Sequence, residues 1–262
     1  MKNPETPQNL DAQNNYIPNI YNYCDLWCIK CPFTGQCERY KIYKYISPGG
    51  TPDFLNQIRE NIHKLQEEIN DIAWKQGMET GNQPIDEEAE RKEQEKVEYI
   101  KNHILTKTAK IYMVMAMGWF ANNHKLIMKS GYQLLQNIKL GIRGDETEEE
   151  ATTVYDAFEL IGWYCTHIRV RLEEATSGEY ELSEKPEKMN KPKEKDGQAK
   201  AALVEMDRSL DAWNKLQNYF PDAGDDILDV QIFLENFRKD TEEHFPRARD
   251  FVRPGFDEIR QD

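Results

Sequence analysis

Four of the five cysteines in this chain lie within one short segment, NYCDLWCIKCPFTGQC, with the spacing C-x3-C-x2-C-x5-C. Four thiolates can hold either a Zn2+ ion or an iron–sulfur cluster. In a reducing compartment, clustered cysteines bind metal more often than they form disulfides. The segment is therefore a candidate metal site, and its ligands would be Cys24, Cys28, Cys31 and Cys37.

The spacing of these cysteines favours a four-iron cluster over a single zinc ion. Structural zinc sites commonly use two ligand pairs that a longer connection separates, whereas these four cysteines share one tight loop. A [4Fe–4S] cube is wider than one ion, and each iron takes one thiolate, so a short loop can place one cysteine at each corner. We expect a [4Fe–4S] cluster, with Zn2+ as the alternative and disulfides as a third state.

The stretch CIKCPFTGQC resembles the end of the iron–sulfur loop in endonuclease III-type DNA glycosylases, whose cysteines follow C-x6-C-x2-C-x5-C. Cys28, Cys31 and Cys37 match the last three of those cysteines, and Pro32 matches a proline often found there. Cys24 departs from the pattern, because it lies three residues before Cys28 instead of six. The resemblance implies a [4Fe–4S] cluster. It does not imply glycosylase activity, since the chain has no helix–hairpin–helix glycine motif and is acidic.

The stretch CDLWCIKC is also similar in spacing to the C-x3-C-x2-C motif of radical S-adenosylmethionine enzymes. Those enzymes need a β/α barrel, whose strands are not evident in this sequence, and they leave one iron of the cluster without a cysteine ligand. In this chain Cys37 would ligate that fourth iron. Full ligation favours electron transfer or a structural role over Lewis-acid catalysis, because the latter requires an open metal position.

Basic and aromatic residues surround the cysteines. A [4Fe–4S]2+ core with four thiolates carries a charge of about −2, which nearby cations would compensate. Aromatic side chains would exclude water from a cluster, and they would equally serve to pack the loop on a helical bundle. The basic residues are Lys30, Arg39, Lys41 and Lys44, and the aromatic residues are Tyr21, Tyr23, Trp27, Phe33, Tyr40 and Tyr43.

The composition argues against several classes of function. The chain has 34 basic and 47 acidic residues, a net charge of −13, and this field repels phosphate backbones, which argues against a nucleic-acid partner. No run of about 18 apolar residues is present, so we expect no membrane partner. The opening segment MKNPETPQNLDAQNN lacks the apolar core of a secretion signal. We expect a cytoplasmic protein that acts with a protein partner.

Apolar residues recur at three- and four-residue steps along most of the chain, and no convincing alternating strand pattern occurs. The predicted fold class is all-α, an antiparallel bundle of about five to seven helices with an N-terminal cysteine-rich metal-binding loop. One helix is expected from Thr51, and a longer helical region from Asp86, with Asn122 and Asn123 as a plausible break. The expected organisation is a flexible segment at 1–20, the metal loop at 21–50 packed on the bundle, a first part of the bundle at 51–176, a polar linker or surface loop at 177–198, and a C-terminal part at 199–262.

Histidines offer a candidate second metal site. Helical bundles can hold metals through Glu-x-x-His motifs, and this chain has one such pair, Glu60 and His63, without a second. The other histidines fall on separate helical segments, with Glu159 and Glu242 near two of them in sequence. A site would form only if several of these side chains converge, and each histidine alone is expected to be a surface or singly bonded residue. The remaining histidines are His103, His124, His167 and His244.

Three functions are consistent with these patterns. The first is a [4Fe–4S] cluster-binding helical protein, in which the cluster transfers electrons or stabilises the loop. The alternative is a zinc-stapled helical protein-interaction module, and the second alternative is a helical-bundle metalloenzyme with a His/Glu site. Cys165 lies on an apolar helical stripe, and we expect it to be a small buried hydrophobe. No pattern in the sequence identifies a substrate or a catalytic residue.

Overall fold

The computed structural model describes residues 15–46, 87–142, 145–184 and 194–258, and within these ranges the protein is helical and contains no strand. The predicted fold class, an all-α helical bundle, is confirmed. The helix predicted from Thr51, with Glu60 and His63, lies outside the described residues. The α-helices in the described ranges are α1 (Glu38–Ile46), α2 (Glu87–Asn102), α3 (Ile104–Lys139), α4 (Asp145–Glu184), α5 (Glu194–Tyr219) and α6 (Gly224–His244).

The chain divides into two compact units, and each is described by itself. The smaller unit consists of Met1–Glu93 and Arg253–Asp262 and contains the cysteine segment, and the larger unit is Gln94–Val252. Residues 253–258 thus belong with the cysteine segment, although the sequence placed them in the C-terminal part of the bundle. No helix in the described ranges has a stretch both long enough and apolar enough to span a membrane.

Helices α3, α4, α5 and α6 form the body of the larger unit. Each packs against the next in chain order, and α6 returns to pack against α3. Short connections are typical of antiparallel neighbours in a bundle, and they join α3 to α4 and α5 to α6 here. Gly141 ends α3 with a left-handed φ of 63°, which glycine adopts without strain. Pro221 opens the single turn Pro221–Ala223 between α5 and α6.

Aromatic and aliphatic side chains fill the interior of the larger unit. Trp213 is fully buried, and its indole N–H donates a hydrogen bond of 3.2 Å to the Tyr112 hydroxyl. Trp119 meets Trp213 edge to face, with ring centroids 5.3 Å apart, an arrangement that adds to the energy of burial. The fully buried aliphatic side chains include those of Ile161, Ile168, Leu172, Leu203, Met206 and Leu216.

The linker predicted over 177–198 is wrong at both ends. Helix α4 continues through Ser177 to Glu184, and α5 begins at Glu194, while residues 185–193 lie outside the described ranges. The prediction rested on the scarcity of apolar residues in this segment. That scarcity does not prevent a helix here, because charged side chains make the inter-helix contacts instead.

Charged pairs and close packing hold these helix ends together. The Lys96 ammonium of α2 pairs with the Glu181 carboxylate of α4. Gly178 brings α4 close to α5, since a Cβ at this position would lie 3.1 Å from the Cβ of Lys195. Glycine weakens an isolated helix, but here the absence of a side chain at Gly178 allows the two helices to pack closely.

The boundary between α2 and α3 lies at His103, and not at Asn122 and Asn123. His103 leaves helical geometry, with φ −59° and ψ 139°, and its Nδ1 accepts a hydrogen bond from the Leu105 N–H at 3.3 Å. Asn123 stays inside α3, where its side-chain amide donates to the Trp119 carbonyl at 3.0 Å. The imidazole of His103 is thus fixed by its role as a helix cap.

Substitution of Leu203 tests how much the core between α4 and α5 contributes to stability. Its side chain is fully buried, so Leu203→Ala removes apolar contacts and leaves a cavity. We expect the free energy of unfolding to fall by about 2–5 kcal/mol, measured by urea denaturation followed by helical circular dichroism. Leu228→Ala is the matched control, because Leu228 is 45% exposed on α6 and should change stability by about 0.5 kcal/mol or less. Equal losses in the two variants would contradict this description of the core.

Candidate functional site

The four cysteines of the N-terminal segment line one cleft of the smaller unit. The cleft is partly open to solvent. All four cysteine side chains are partly buried. The fold therefore directs the four predicted ligands to a common space. The other walls include Ile20, Tyr21, Leu26, Trp27, Phe33, Tyr40 and Phe256.

The sulfur atoms surround this cleft and do not converge on one point. No three of these four Sγ atoms lie within 4.8 Å of one another. A tetrahedral Zn2+ ion with Zn–S bonds of about 2.3 Å holds its sulfurs about 3.8 Å apart. A [4Fe–4S] cluster binds each thiolate through a different iron, so it requires sulfurs that lie farther apart. The sulfurs therefore do not form the compact set that a single bound ion requires.

A tight reversal positions the first two cysteines. The Asp25 carboxylate accepts a hydrogen bond of 3.1 Å from the Trp27 N–H, as in an Asx turn. Leu26 has a left-handed φ of 55°, which is uncommon for a residue with a Cβ. The reversal folds the chain between Cys24 and Cys28, so both thiols can face the same cleft.

The last cysteine lies at the start of α1. Single 3-10 turns cover Cys28–Lys30 and Thr34–Gln36, and Cys37 directly precedes the helix. The Cys37 carbonyl accepts the Lys41 N–H at 3.2 Å. Cys37 thus lies beside the partial positive charge of a helix N-terminus.

Two thiols of the cleft, those of Cys28 and Cys31, resist ionisation in the absence of a bound cation. Burial raises the pKa of Cys28, and negative charge on Cys31 and Cys37 raises it further. The Arg39 guanidinium acts in the opposite direction. Burial is also the largest reason why the pKa of Cys31 is raised. Metal ligands must be thiolates, so a bound metal centre would supply the positive charge that these thiolates need.

The C-terminal turn of the described chain closes one side of the cleft. Phe256 meets Phe33 edge to face, with ring centroids 5.0 Å apart. Gly255 has a φ of 76°, and a Cβ there would lie 2.9 Å from Cδ1 of Ile20 and 3.0 Å from Cδ1 of Ile17. The conformation and the close approach both call for glycine at this position.

The segment before the cysteines is packed as well. The Ile17 N–H donates a hydrogen bond of 3.0 Å to the Gln36 carbonyl, and Ile20 is buried. The prediction of a flexible segment over 1–20 is therefore wrong for residues 15–20, because two isoleucines bury against the loop. Residues 1–14 lie outside the described ranges.

The predicted basic and aromatic neighbours are only partly directed at the cysteines. Arg39 is close enough to lower the pKa of Cys28. Lys30 stacks its ammonium over the Trp27 ring, 4.6 Å from the centroid. The side chain of Tyr43 lies outside the described part of the chain. The aromatic residues thus pack the loop and line the cleft at once.

A second group of candidate ligands lies in the larger unit. Glu179 of α4 places its Oε2 at 2.9 Å from Nε2 of His244 and 3.7 Å from Nε2 of His103. The two imidazole rings meet edge to face, with centroids 4.8 Å apart. The Lys195 ammonium lies 3.6 Å from Oε1 of Glu179, and burial together with the Glu179 charge raises the pKa of Tyr99.

These groups shift one another's ionisation. Burial raises the pKa of Glu179, but the hydrogen bond and charge of His244, together with Lys195 and His103, outweigh it, so the net pKa is lowered. Burial lowers the pKa of His103, His244 lowers it further, and Glu179 opposes both. At neutral pH the group therefore consists of a carboxylate beside a largely neutral imidazole at His103.

The other two histidines in the described ranges do not join this group. His124 is exposed on α3, with Nδ1 at 3.1 Å from the Ala121 carbonyl oxygen. His167 is buried between α4 and α5, where its Nδ1 lies 2.7 Å from Oε1 of Glu205. Each makes one hydrogen bond, as expected for a surface or singly bonded histidine.

The glutamate that joins the histidines was missed from the sequence. We considered Glu159 and Glu242, but Glu159 is exposed and Glu242 bonds to the Arg249 guanidinium at 2.8 Å. Glu179 escaped notice because it lies in the segment interpreted as a linker. A helix continued through this segment would have placed Glu179 near the end of the bundle, and that is the signal that could have found it.

Cys165 takes no part in either group. It is fully buried on α4, and its thiol contacts the Gly162 carbonyl oxygen at 3.3 Å. Burial raises the pKa of Cys165 to about 11, so the thiol stays protonated. This is the small buried hydrophobe expected from the apolar stripe.

No protein-family model matches this chain, and no curated protein or solved structure matches it significantly. Fold and site together define the class: an all-α protein with a four-cysteine cleft and a separate group of two histidines and a glutamate. Its function is accordingly argued from these residues.

Substitution of Gly255 tests the packing of the cleft. Gly255→Ala forces a Cβ into a left-handed conformation and against Ile20, so we expect a cost of about 1–3 kcal/mol to the local fold. Hydrogen exchange at the amides of residues 17–37 should become faster. Gly35→Ala is the matched control in the same unit, because no atom lies within 4 Å of its added Cβ and its φ is not in the left-handed region. Unchanged exchange in Gly255→Ala would refute the close packing described here.

Proposed function

We propose that this protein binds a [4Fe–4S] cluster through Cys24, Cys28, Cys31 and Cys37, and that the cluster exchanges single electrons with a partner protein. The observation that carries the proposal is the arrangement of the four thiols. They line one cleft, yet no three of the sulfurs approach within 4.8 Å of one another.

The donor set suits such a cluster chemically. Four cysteine thiolates are the usual ligands of a [4Fe–4S] centre, and complete ligation leaves no iron open for substrate. When bound, the cluster would supply one-electron redox chemistry. The role of this chain's own residues is to hold four thiolates at the corners of the cleft.

The surroundings of the cleft support an anionic cluster. Arg39 stabilises negative charge at Cys28, and the last cysteine directly precedes the N-terminus of α1, which carries a partial positive charge. Apolar and aromatic walls such as Phe33 and Phe256 exclude water, and hydrogen bonding and solvent exposure are among the features that set a cluster's reduction potential.

The partial exposure of the cleft favours electron exchange over a purely structural role. All four cysteines are partly buried and none is fully buried. A cluster held there would lie close to the protein surface, within reach of a docked partner. A structural staple could be fully enclosed, whereas an electron carrier needs this access.

Metal and sulfide analysis tests the cluster. Protein purified without oxygen should be brown and contain close to four iron and four sulfide per chain. The variant Cys28→Ser should lose most of both, because it removes one of the corner ligands. Cys165→Ala is the matched control, since it removes a thiol outside the cleft and should retain the cluster.

Two results would overturn the cluster. Colourless protein with zinc and no sulfide would favour the zinc-stapled interaction module. Equal iron content in Cys28→Ser and Cys165→Ala would show that iron binds elsewhere.

Voltammetry tests the electron-transfer role separately. We expect one reversible one-electron couple within the range of about −700 to +450 mV that such clusters span. A protein that contains the cluster but has no accessible couple in this range would instead assign the cluster a structural role.

A further inference from the structure

The side chains of His103, Glu179 and His244 converge from three separate places in the larger unit. His103 caps α3, Glu179 lies near the end of α4, and His244 is the last residue of α6. One nitrogen from each ring and one carboxylate oxygen all lie within 4.8 Å of one another. Two imidazoles and a carboxylate form a common ligand set for divalent transition metals.

We propose that His103, Glu179 and His244 form a binding site for a divalent transition-metal ion of the Zn2+ class, separate from the cysteine cleft. The ligand atoms are Nε2 of both histidines and Oε2 of Glu179. Its ligands come from the α2–α3 junction, α4 and α6. A bound metal therefore links these elements and stabilises the bundle.

The distances between the ligand atoms match those that a single ion imposes. With metal–nitrogen and metal–oxygen bonds of about 2.0–2.2 Å, tetrahedral ligands lie about 3.4 Å apart. The two Nε2-to-Oε2 distances here are 2.9 Å and 3.7 Å, on either side of that value. Only small side-chain movements are needed to admit the ion.

Two residues behind the ligands contact them. Lys195 lies 3.6 Å from Oε1 of Glu179, which leaves Oε2 directed at the two histidines. The Tyr99 ring packs against the His103 ring, with centroids 5.8 Å apart. Outer contacts of this kind orient ligands in metal sites. The Lys195 charge repels a cation, but it neutralises the carboxylate oxygen that the metal does not use.

Binding through His103 has one cost. Its Nδ1 now accepts the Leu105 N–H at 3.3 Å, so Nε2 carries the proton of the neutral ring. Metal binding at Nε2 moves that proton to Nδ1 and gives up this long hydrogen bond. Three metal–ligand bonds replace this weak cap and the hydrogen bond between His244 and Glu179.

Three metal ligands leave one position of a tetrahedral ion for water. His244 and Glu179 are 33% and 26% exposed in their side chains, so solvent reaches the site from one edge. Closed structural zinc sites use four protein ligands, whereas sites with three protein ligands keep a water or exchangeable ligand. The proposed site belongs to the second kind.

Calorimetric titration with Zn2+ tests the site in the full chain with all four cleft cysteines changed to serine. We expect one equivalent to bind and the melting temperature to rise with zinc concentration. The variant His103→Ala/His244→Ala in this background should weaken binding about 100-fold or more, and Glu179→Gln should weaken it without a change of size. His124→Ala is the matched control and should bind as the parent does. Absence of saturable binding, or equal binding by the double variant and the control, would overturn the proposal.

A second measurement applies if the four-serine variant does not fold. Native protein and its His103→Ala/His244→Ala variant are saturated with Zn2+, dialysed and analysed for total metal and sulfide. The variant should hold one zinc fewer than His124→Ala, with unchanged sulfide. Equal zinc in the two variants would refute the site, whereas a change in sulfide bears on the cysteine cleft alone.

Discussion

The packing of α4 against α5 is the contact on which the larger unit depends. It is the most extensive helix pair in the described chain. Small residues let the backbones approach, above all Gly178, whose missing Cβ leaves room for Lys195. Within the interface, the His167 ring bonds to the buried Glu205 carboxylate at 2.7 Å, so the cost of burying a charged group is offset by a specific partner. This interface aligns the last turns of α4, and with them Glu179, against the other helix ends.

Much of the fold could be predicted from the sequence, because apolar stripes report which face of a helix is buried. The stripes containing Ile161, Ile168 and Leu203 all proved to be core. The prediction failed over 177–198, where the helices continue without an apolar stripe. Ion pairs between helices hold those turns, and such pairs depend on partners distant in sequence, which periodicity cannot reveal. The break at His103 was missed for a similar reason, since a histidine cap leaves a weaker signal than glycine or proline.

The candidate sites, like the fold, could be predicted from the sequence only in part. The four cysteines could be identified as ligands because their spacing is local, and the structure brings them to one cleft. The wall supplied by Phe256 could not be predicted, because it comes from the opposite end of the chain. Glu179 was missed because three distant segments must fold before it meets His103 and His244. Local spacing predicts donor atoms within a loop, and only tertiary packing creates donors that converge from separate helices.

The two sets of donors differ in their spacing and in their chemistry. The cysteine cleft offers soft thiolates too far apart for one ion, whereas the histidine–glutamate group offers nitrogen and oxygen atoms within the reach of a single ion. Imidazole and carboxylate donors suit zinc among other first-row divalent ions, and thiolate sites select iron–sulfur clusters, zinc or Cu(I). Zinc is thus a metal that both sets could accept. Because the wide separation of the sulfurs disfavours it at the cleft, the geometry of each site, and not affinity alone, would keep the two centres distinct.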